Sequence, residues 1–147
     1  DAANCWDSGQ DFYIIRYPEV LLSYAEELVE KDGCDISKVI SLVDQVRVRA
    51  GMPKVSEAEG TALSQDQLRK LIRHERRVEL AFEGLRMFDV YRWKILKDAV
   101  DRINAEKEKY GFWYETRNYR GEMEYIWPIP QSEVDSNSQM VQNDLWK

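Results

Sequence analysis

The apolar positions fall into three regimes along the chain. Between Pro18 and Lys31 they crowd most of a helical circumference, with Val20, Leu21, Leu22, Tyr24, Ala25, Leu28 and Val29 leaving only a narrow polar face of Glu19, Ser23, Glu26, Glu27 and Glu30. A helix patterned in this way predicts neighbours on several sides. Pro18 suits its first turn, where a missing N–H costs nothing, and Gly33 suits a left-handed cap beyond its end. A second helix is predicted from Asp35 or Ser37, each a good N-cap, to Ala50, ahead of Gly51 and Pro53. Its stripe is Ile36, Val39, Ile40, Val43, Val46 and Ala50, and the short turn before it makes the pair an antiparallel hairpin. Lys54 to Leu63 has no period and reads as a loop. Ser64 and Gln67 form a capping box that opens a third helix, predicted to run to Glu83 and stop at Gly84. Its residues Leu68, Leu71, Ile72, Val78 and Phe82 share one arc roughly 120° wide. Leu85 to Trp93 begins another helical element, and Leu96, Ala99, Val100 and Ile103 mark a last one ending at Tyr110.

From Phe112 the helical period disappears and aromatic residues scatter through an irregular segment. Pro128 and Pro130 push their predecessors toward extended conformations, so Tyr125 to Pro130 is expected to form a strand or polyproline-like strap. Together these elements predict a mainly helical, all-α fold of tetratricopeptide-like helix hairpins with an irregular aromatic C-terminal wrap. The expected organisation is a single domain over residues 1–147, with 1–16 a tail and extended lead-in, 17–110 helical and 111–147 the wrap.

Charge changes this picture in one place. Glu75 and Glu79 fall inside the apolar arc of the third helix, and Arg47 falls inside the stripe of the second. A carboxylate on a core stripe is costly unless it is paired or takes up a proton. The expected solution is a buried cluster of Arg47 with Glu75 or Glu79, extended by Glu83, by Arg86 and Arg92 as further donors, and by Asp89 at ladder spacing with both arginines. The same glutamates invite comparison with a glycosidase carboxylate pair. Neighbours four residues apart on one helix are close by construction, however, and arginine-rich surroundings oppose the raised pKa a general acid needs. No enzymatic activity is expected.

The remaining composition mostly excludes. A net charge of -6 and a pI near 4.9 oppose general affinity for nucleic acid or anionic membrane. His74, the single histidine, projects away from the apolar arc, so no metal site or catalytic triad is expected, and no phosphate-cradling glycine motif or other cofactor signature occurs. The two cysteines, Cys5 and Cys34, are too few for a disulfide scaffold, and whether they pair is open. No apolar stretch approaches the ~18 residues of a spanning helix. The chain starts at Asp1 without a methionine or export segment, and residues 1–4 are too polar to make Cys5 a lipidation site; it reads as a fragment or processed chain.

Four ordered blocks resemble one known family. E-R-R-V-E-L-A-F-E-G-L-R-M-F-D-V-Y-R-W, from Glu75 to Trp93, is similar to the signature near the C-terminus of the SusD/RagB outer-membrane nutrient-binding lipoproteins. R-Y-P-E-V-L-L-S-Y-A-E at Arg16 to Glu26 and V-D-Q-V-R-V-R-A-G-M-P at Val43 to Pro53 resemble the helix pair preceding that signature. Y-I-W-P-I-P-Q-S-E-V at Tyr125 to Val134 resembles the closing motif, with Gln142-Asn143 following at the expected place. Asn137-Ser138 and Asp144-Leu145-Trp146 depart from the family's usual Asn-Pro and Pro-Gly-aromatic. The resemblance covers the family's C-terminal part only. It implies non-catalytic binding of a glycan or other oligomeric nutrient at the bacterial outer-membrane surface, beside a SusC-like TonB-dependent transporter, with the lipid anchor outside this chain. The alternative is a helical protein-interaction module without sugar binding. Trp113, Tyr114, Arg117, Asn118 and Tyr119 have the mix of rings and polar groups that sugars engage, and are the candidate ligand residues; the competing role for these rings is to cover helix ends. Trp93, Trp127 and Trp146 are expected to be structural.

Overall fold

A computed structural model of the chain describes residues 13–110 and 116–147. Those residues contain helices and no strand, as the periodicity predicts. The chain divides into two compact units, residues 1–84 and 85–147.

In the first unit, α1 (Tyr17–Glu30) opens with proline in its first turn and packs against both α2 (Ile36–Arg49) and a later helix, α4 (Gln65–Glu79). Asp35 caps α2 by accepting from the Lys38 amide at 3.0 Å. Ser64 and Gln67 exchange the two expected bonds at the start of α4, at 3.3 and 2.8 Å. The core joins Leu21, Leu22, Ala25 and Val29 of α1 to Val39, Leu42, Val43 and Val46 of α2 and to Leu68 and Ile72 of α4. Cys34 lies at its edge; Cys5 is outside the described residues.

Two expectations fail here for physical reasons. The predicted loop from Lys54 contains a single helical turn, α3 (Val55–Ala58), too short to carry a period. Its amide at Val55 donates to Asp44 Oδ1 at 2.8 Å while the valine side chain is fully buried, so one residue plugs the core and anchors the turn. The third predicted helix stops at Glu79, four residues before the expected end at Glu83. Leu80 turns inward and is buried, and Phe82 takes a left-handed φ of 65° with its ring fully exposed. Val78 and Phe82 therefore leave the core arc. The buried line along this segment is Leu68, Ile72, Arg76 and Leu80, one residue per turn.

In the second unit, α5 (Arg86–Arg92) leads through Trp93 and a left-handed Lys94, φ 56°, into α6 (Leu96–Tyr110). Val90 and Val100 are its buried apolar residues among those described. A 3-10 turn at Glu122–Tyr125 precedes the extended strap, followed by α7 (Gln131–Ser136) and a 3-10 turn at Asp144–Trp146. The Tyr125 hydroxyl accepts from the Leu96 amide at 3.0 Å, tying the turn to the start of α6.

The strap has no strand partner among the described residues, and side chains bond several of its backbone groups instead. Gln142 accepts from the Ile129 amide at 2.9 Å and donates to the Ile129 carbonyl at 2.8 Å. Asn143 Nδ2 donates to the Trp127 carbonyl at 2.8 Å, and the Trp146 indole donates to the Ile126 carbonyl at 2.6 Å. Side chains thus supply the donors and acceptors that a neighbouring strand would provide.

Candidate functional site

The helix-four glutamates are paired, but mostly by arginines other than the expected one. Glu79 receives Arg16 Nη1 at 2.5 Å and Arg49 Nη2 at 2.6 and 2.7 Å. Arg16 also donates to the Glu79 carbonyl and, through Nε, to both oxygens of Glu83 at 2.8 and 2.9 Å. The early end of α4 explains this arrangement: the tight turns after Glu79 bring Glu83 back beside Glu79, where one guanidinium spans both. Those hydrogen bonds push the Arg16 pKa well above its usual value, so it stays charged. Glu79 therefore takes Arg16 and Arg49 as donors where Arg47 was the expected one. Arg16 escaped the pattern reading because it lies in an extended lead-in with no period to betray it. Arg49 follows Arg47 on the outward side of α2.

Arg47 does meet Glu75, at 3.3 Å, with 6% of the arginine side chain and 16% of the glutamate exposed. The contact is an ion pair without hydrogen-bond geometry, and Arg47 Nε and Nη1 are buried without a hydrogen-bond acceptor. Burial pushes the Glu75 carboxyl pKa up, and the attraction of Arg47 opposes this only in part. Glu75 thus departs from the expectation that arginine would hold these glutamates well ionised. The central buried charge of α4 is Arg76, which donates to Ser23 Oγ at 2.9 Å and lies 3.8 Å from Glu26. Ser23 and Glu26 belong to the narrow polar face of α1, which here meets α4. Nearer the start of α4, Arg69 forks onto Glu30 at 2.6 and 2.8 Å and also reaches Asp66. The Arg69 bonds hold the Glu30 pKa below its usual value.

In the second unit, Asp89 is buried and accepts from Arg92 Nε and Nη2 at 3.0 and 2.7 Å. The guanidinium groups of Arg92 and Arg86 lie 4.7 and 5.8 Å from the centre of the Trp93 ring. Of the expected ladder, Arg92 and Asp89 are joined, and Arg86 stands with Arg92 at the Trp93 ring.

Of the candidate ligand residues, Trp113 and Tyr114 lie outside the described residues. Arg117 is held through its backbone by Asn104, at 2.8 and 3.2 Å, which leaves its side chain exposed. Asn118 is exposed as well. Tyr119 is half-buried, edge-on to Tyr125 at 6.3 Å and directed to Glu122 at 3.4 Å, and desolvation pushes its hydroxyl pKa up. Tyr125 also meets Tyr91 edge-on at 5.7 Å and carries Lys94 over its face at 4.6 Å. Trp127, expected to be structural, exposes most of its ring. The Tyr125 ring meets α5 and the start of α6, Tyr119 packs edge-on against it, and Arg117 and Asn118 are exposed.

The described part of the first unit carries cavities away from the glutamates. One of about 320 Å³ is lined by Glu59, Leu63, Gln67, Lys70, Leu71 and His74; Glu75 and Glu79 do not line it. His74 is exposed, as expected. Another is an open apolar groove of about 880 Å³ between α1 and α2, lined by Tyr17, Leu21, Ile40 and Val48 with the small Ser37 and Ser41 among them. No group of three or more potential metal ligands occurs among the described residues. No helix there is long and apolar enough to cross a membrane. Glu79 and Glu83 spend their hydrogen-bonding capacity on arginines, which is the behaviour of a structural clasp.

Comparison with known proteins agrees with the motif reading. The sequence profile of the SusD family matches residues 2–146. SusD-like protein P2 of Formosa agariphila is 32% identical over 143 residues, covering 94% of this chain and 26% of that protein. SusD-like protein P25 of the same organism is 32% identical over 131 residues, covering 89% and 23%. The crystal structure of a SusD homolog from Bacteroides thetaiotaomicron superposes with a TM-score of 0.68 at 34% identity, covering 90% of this chain and 26% of that one. The chain spans about a quarter of the length of these relatives, and it belongs to the SusD family.

Proposed function

We propose that this chain is part of a protein that binds a glycan or other oligomeric nutrient without transforming it, at the bacterial outer-membrane surface and beside a SusC-like TonB-dependent transporter. The observation that carries the reading is the family match, which runs through nearly every residue. The geometry supports a non-catalytic role: Glu75, Glu79 and Glu83 resemble a hydrolase pair in sequence but are engaged by Arg47, Arg16 and Arg49. In this reading the first unit is scaffold. Any contribution to ligand comes from the aromatic segment, with Trp113, Tyr114 and Tyr119 offering ring faces to sugar C–H groups and Arg117 and Asn118 engaging hydroxyls.

The test is calorimetry or affinity electrophoresis of the full-length protein against a glycan panel. Binding that disappears with Trp113→Ala or Tyr119→Ala supports both the function and the site. Binding that survives both substitutions moves the site elsewhere. No binding to any glycan, or turnover of one that is abolished by Glu79→Gln in a folded protein, overturns the reading.

A further inference from the structure

Trp127 faces solvent on a backbone that is held still. The residue is 69% exposed. Its carbonyl accepts from Asn143, the Ile126 carbonyl before it accepts from the Trp146 indole, and Pro128 after it has a fixed φ. One residue further on, the Ile129 amide and carbonyl are both bonded to Gln142. A ring presented in this way loses little freedom when something settles on it. Beside it, within the second unit, lies a pocket of about 210 Å³ lined by Tyr91, Trp127, Trp146 and Pro128, with Arg120 and Glu124 as its charged lining.

That charged pair is incompletely used. Arg120 Nε donates to Glu124 Oε1 at 2.5 Å, and the guanidinium stands 5.3 Å from the centre of the Trp146 ring. Both Nη groups of Arg120 and Glu124 Oε2 are without hydrogen bonds among the described residues. An apolar covering would strand them, whereas hydroxyl groups would satisfy them. The opposite charges cancel, so the pocket offers donors and acceptors without favouring an ion of either sign. Three aromatic rings beside such a pair match a molecule with apolar C–H faces and neutral hydroxyls. The volume falls below the ~300–1,000 Å³ of pockets that enclose a whole small molecule, which suits one ring of a longer chain. We propose that the Trp127 pocket is a subsite for a single neutral saccharide ring of an oligosaccharide, stacked on the Trp127 indole with its hydroxyls on Arg120 and Glu124. This rests on the reading of the protein as a glycan binder and adds a contact beyond the Trp113 to Tyr119 stretch.

The test uses the full-length protein labelled with fluorotryptophan and a panel of neutral gluco-, manno-, galacto- and xylo-hexaoses. The Trp127 fluorine signal, assigned by its disappearance in Trp127→Tyr, is expected to be broadened by a soluble nitroxide in the unliganded protein. It should shift on titration with a hexaose that calorimetry shows to bind, and the nitroxide should then broaden it less. Trp127→Ala should weaken that binding on the order of tenfold or more, with Trp127→Tyr and Glu124→Gln each losing less. If Trp127→Ala unfolds, the fluorine shift of the native protein decides. A hexaose that binds while the Trp127 signal and the Trp127→Ala affinity stay unmoved overturns the subsite and leaves the glycan-binding reading standing. A Trp127 signal shielded from the nitroxide before any hexaose is added, because the rest of the polypeptide covers the ring, overturns the subsite too. Failure of every hexaose to bind overturns both.

Discussion

Replacing Arg47 by leucine should destabilise the protein by an amount that depends on pH, because the partner it strands has an escape. Arg47 brings two buried nitrogens without hydrogen-bond acceptors into the core, and leucine removes them at little steric cost. The damage lies at Glu75, only 16% exposed and left without a counter-charge. That carboxyl can take up a proton. Neutralising a carboxyl of unperturbed pKa 4.5 costs about 1.36 kcal/mol for each pH unit above that value, which sets a ceiling near 3.4 kcal/mol at pH 7 and near zero at pH 4.5. The sign follows from the raised folded pKa. The stability linked to Glu75 is fully present below its unfolded pKa and is lost as pH rises through the folded one. Arg47→Leu lifts the folded value further, so the difference from the native protein grows between the two folded values and then levels off. Because the native carboxyl already carries part of that cost, urea unfolding of both proteins at intervals from pH 4.5 to 8 should show a loss of about 1–3 kcal/mol near neutrality and under about 1 kcal/mol at the acid end. Adding Glu75→Leu to Arg47→Leu should restore most of the neutral-pH loss. A loss of equal size at every pH, or a double variant no better than the single one, would refute the reasoning.

Other outcomes follow from the same geometry. Glu79→Gln should cost about 2 kcal/mol in chemical denaturation, less than two buried charged bonds, because Arg16 keeps Glu83 and Arg49 is more than half exposed. The depressed Glu30 pKa contributes stability present above its unfolded value and lost as pH falls through the folded one; Arg69→Ala should flatten that acid-side decline in melting temperature. Gln142→Glu removes the donor to the Ile129 carbonyl and should speed hydrogen exchange at the Ile129 amide while costing about 1–2 kcal/mol. Phe82→Gly should raise the stability of the 147-residue chain by up to about 1 kcal/mol, since relief at a left-handed position exceeds the entropy glycine adds to the unfolded chain.

The features legible in the sequence are those decided locally. Asp35, the Ser64–Gln67 box and Pro18 act through one or two backbone groups beside them, and helices begin where these residues stand. Where α4 ends is a tertiary matter. Leu80 enters the core and Phe82 accepts a left-handed backbone, while one arginine in the lead-in holds Glu79 and Glu83 together. A helical wheel that extends to Phe82 places its centre too close to the glutamates and misses Arg76, the charge that is buried there. Opposed charges on two facing helices were readable, down to Arg47 and Glu75; the arginines that meet Glu79 were not. That choice depends on side-chain reach and on a turn whose path the period does not encode. The Gln142–Asn143 pair was visible as a motif, but its role on the strap needed the three-dimensional path of both segments.

The amide side chains that pin the strap also give it a chemical age. Asn143 lends its Nδ2 hydrogens to the carbonyl of Trp127, and Gln142 presents a donor and an acceptor to Ile129 together. Hydrolysis of either amide to an acid exchanges a donor for an oxygen facing another oxygen. One unit of negative charge would then appear where a carbonyl expects a hydrogen. Slow deamidation, harmless on most surfaces, would here loosen the closing segment from within and leave a mass shift of one proton-scale unit as its record.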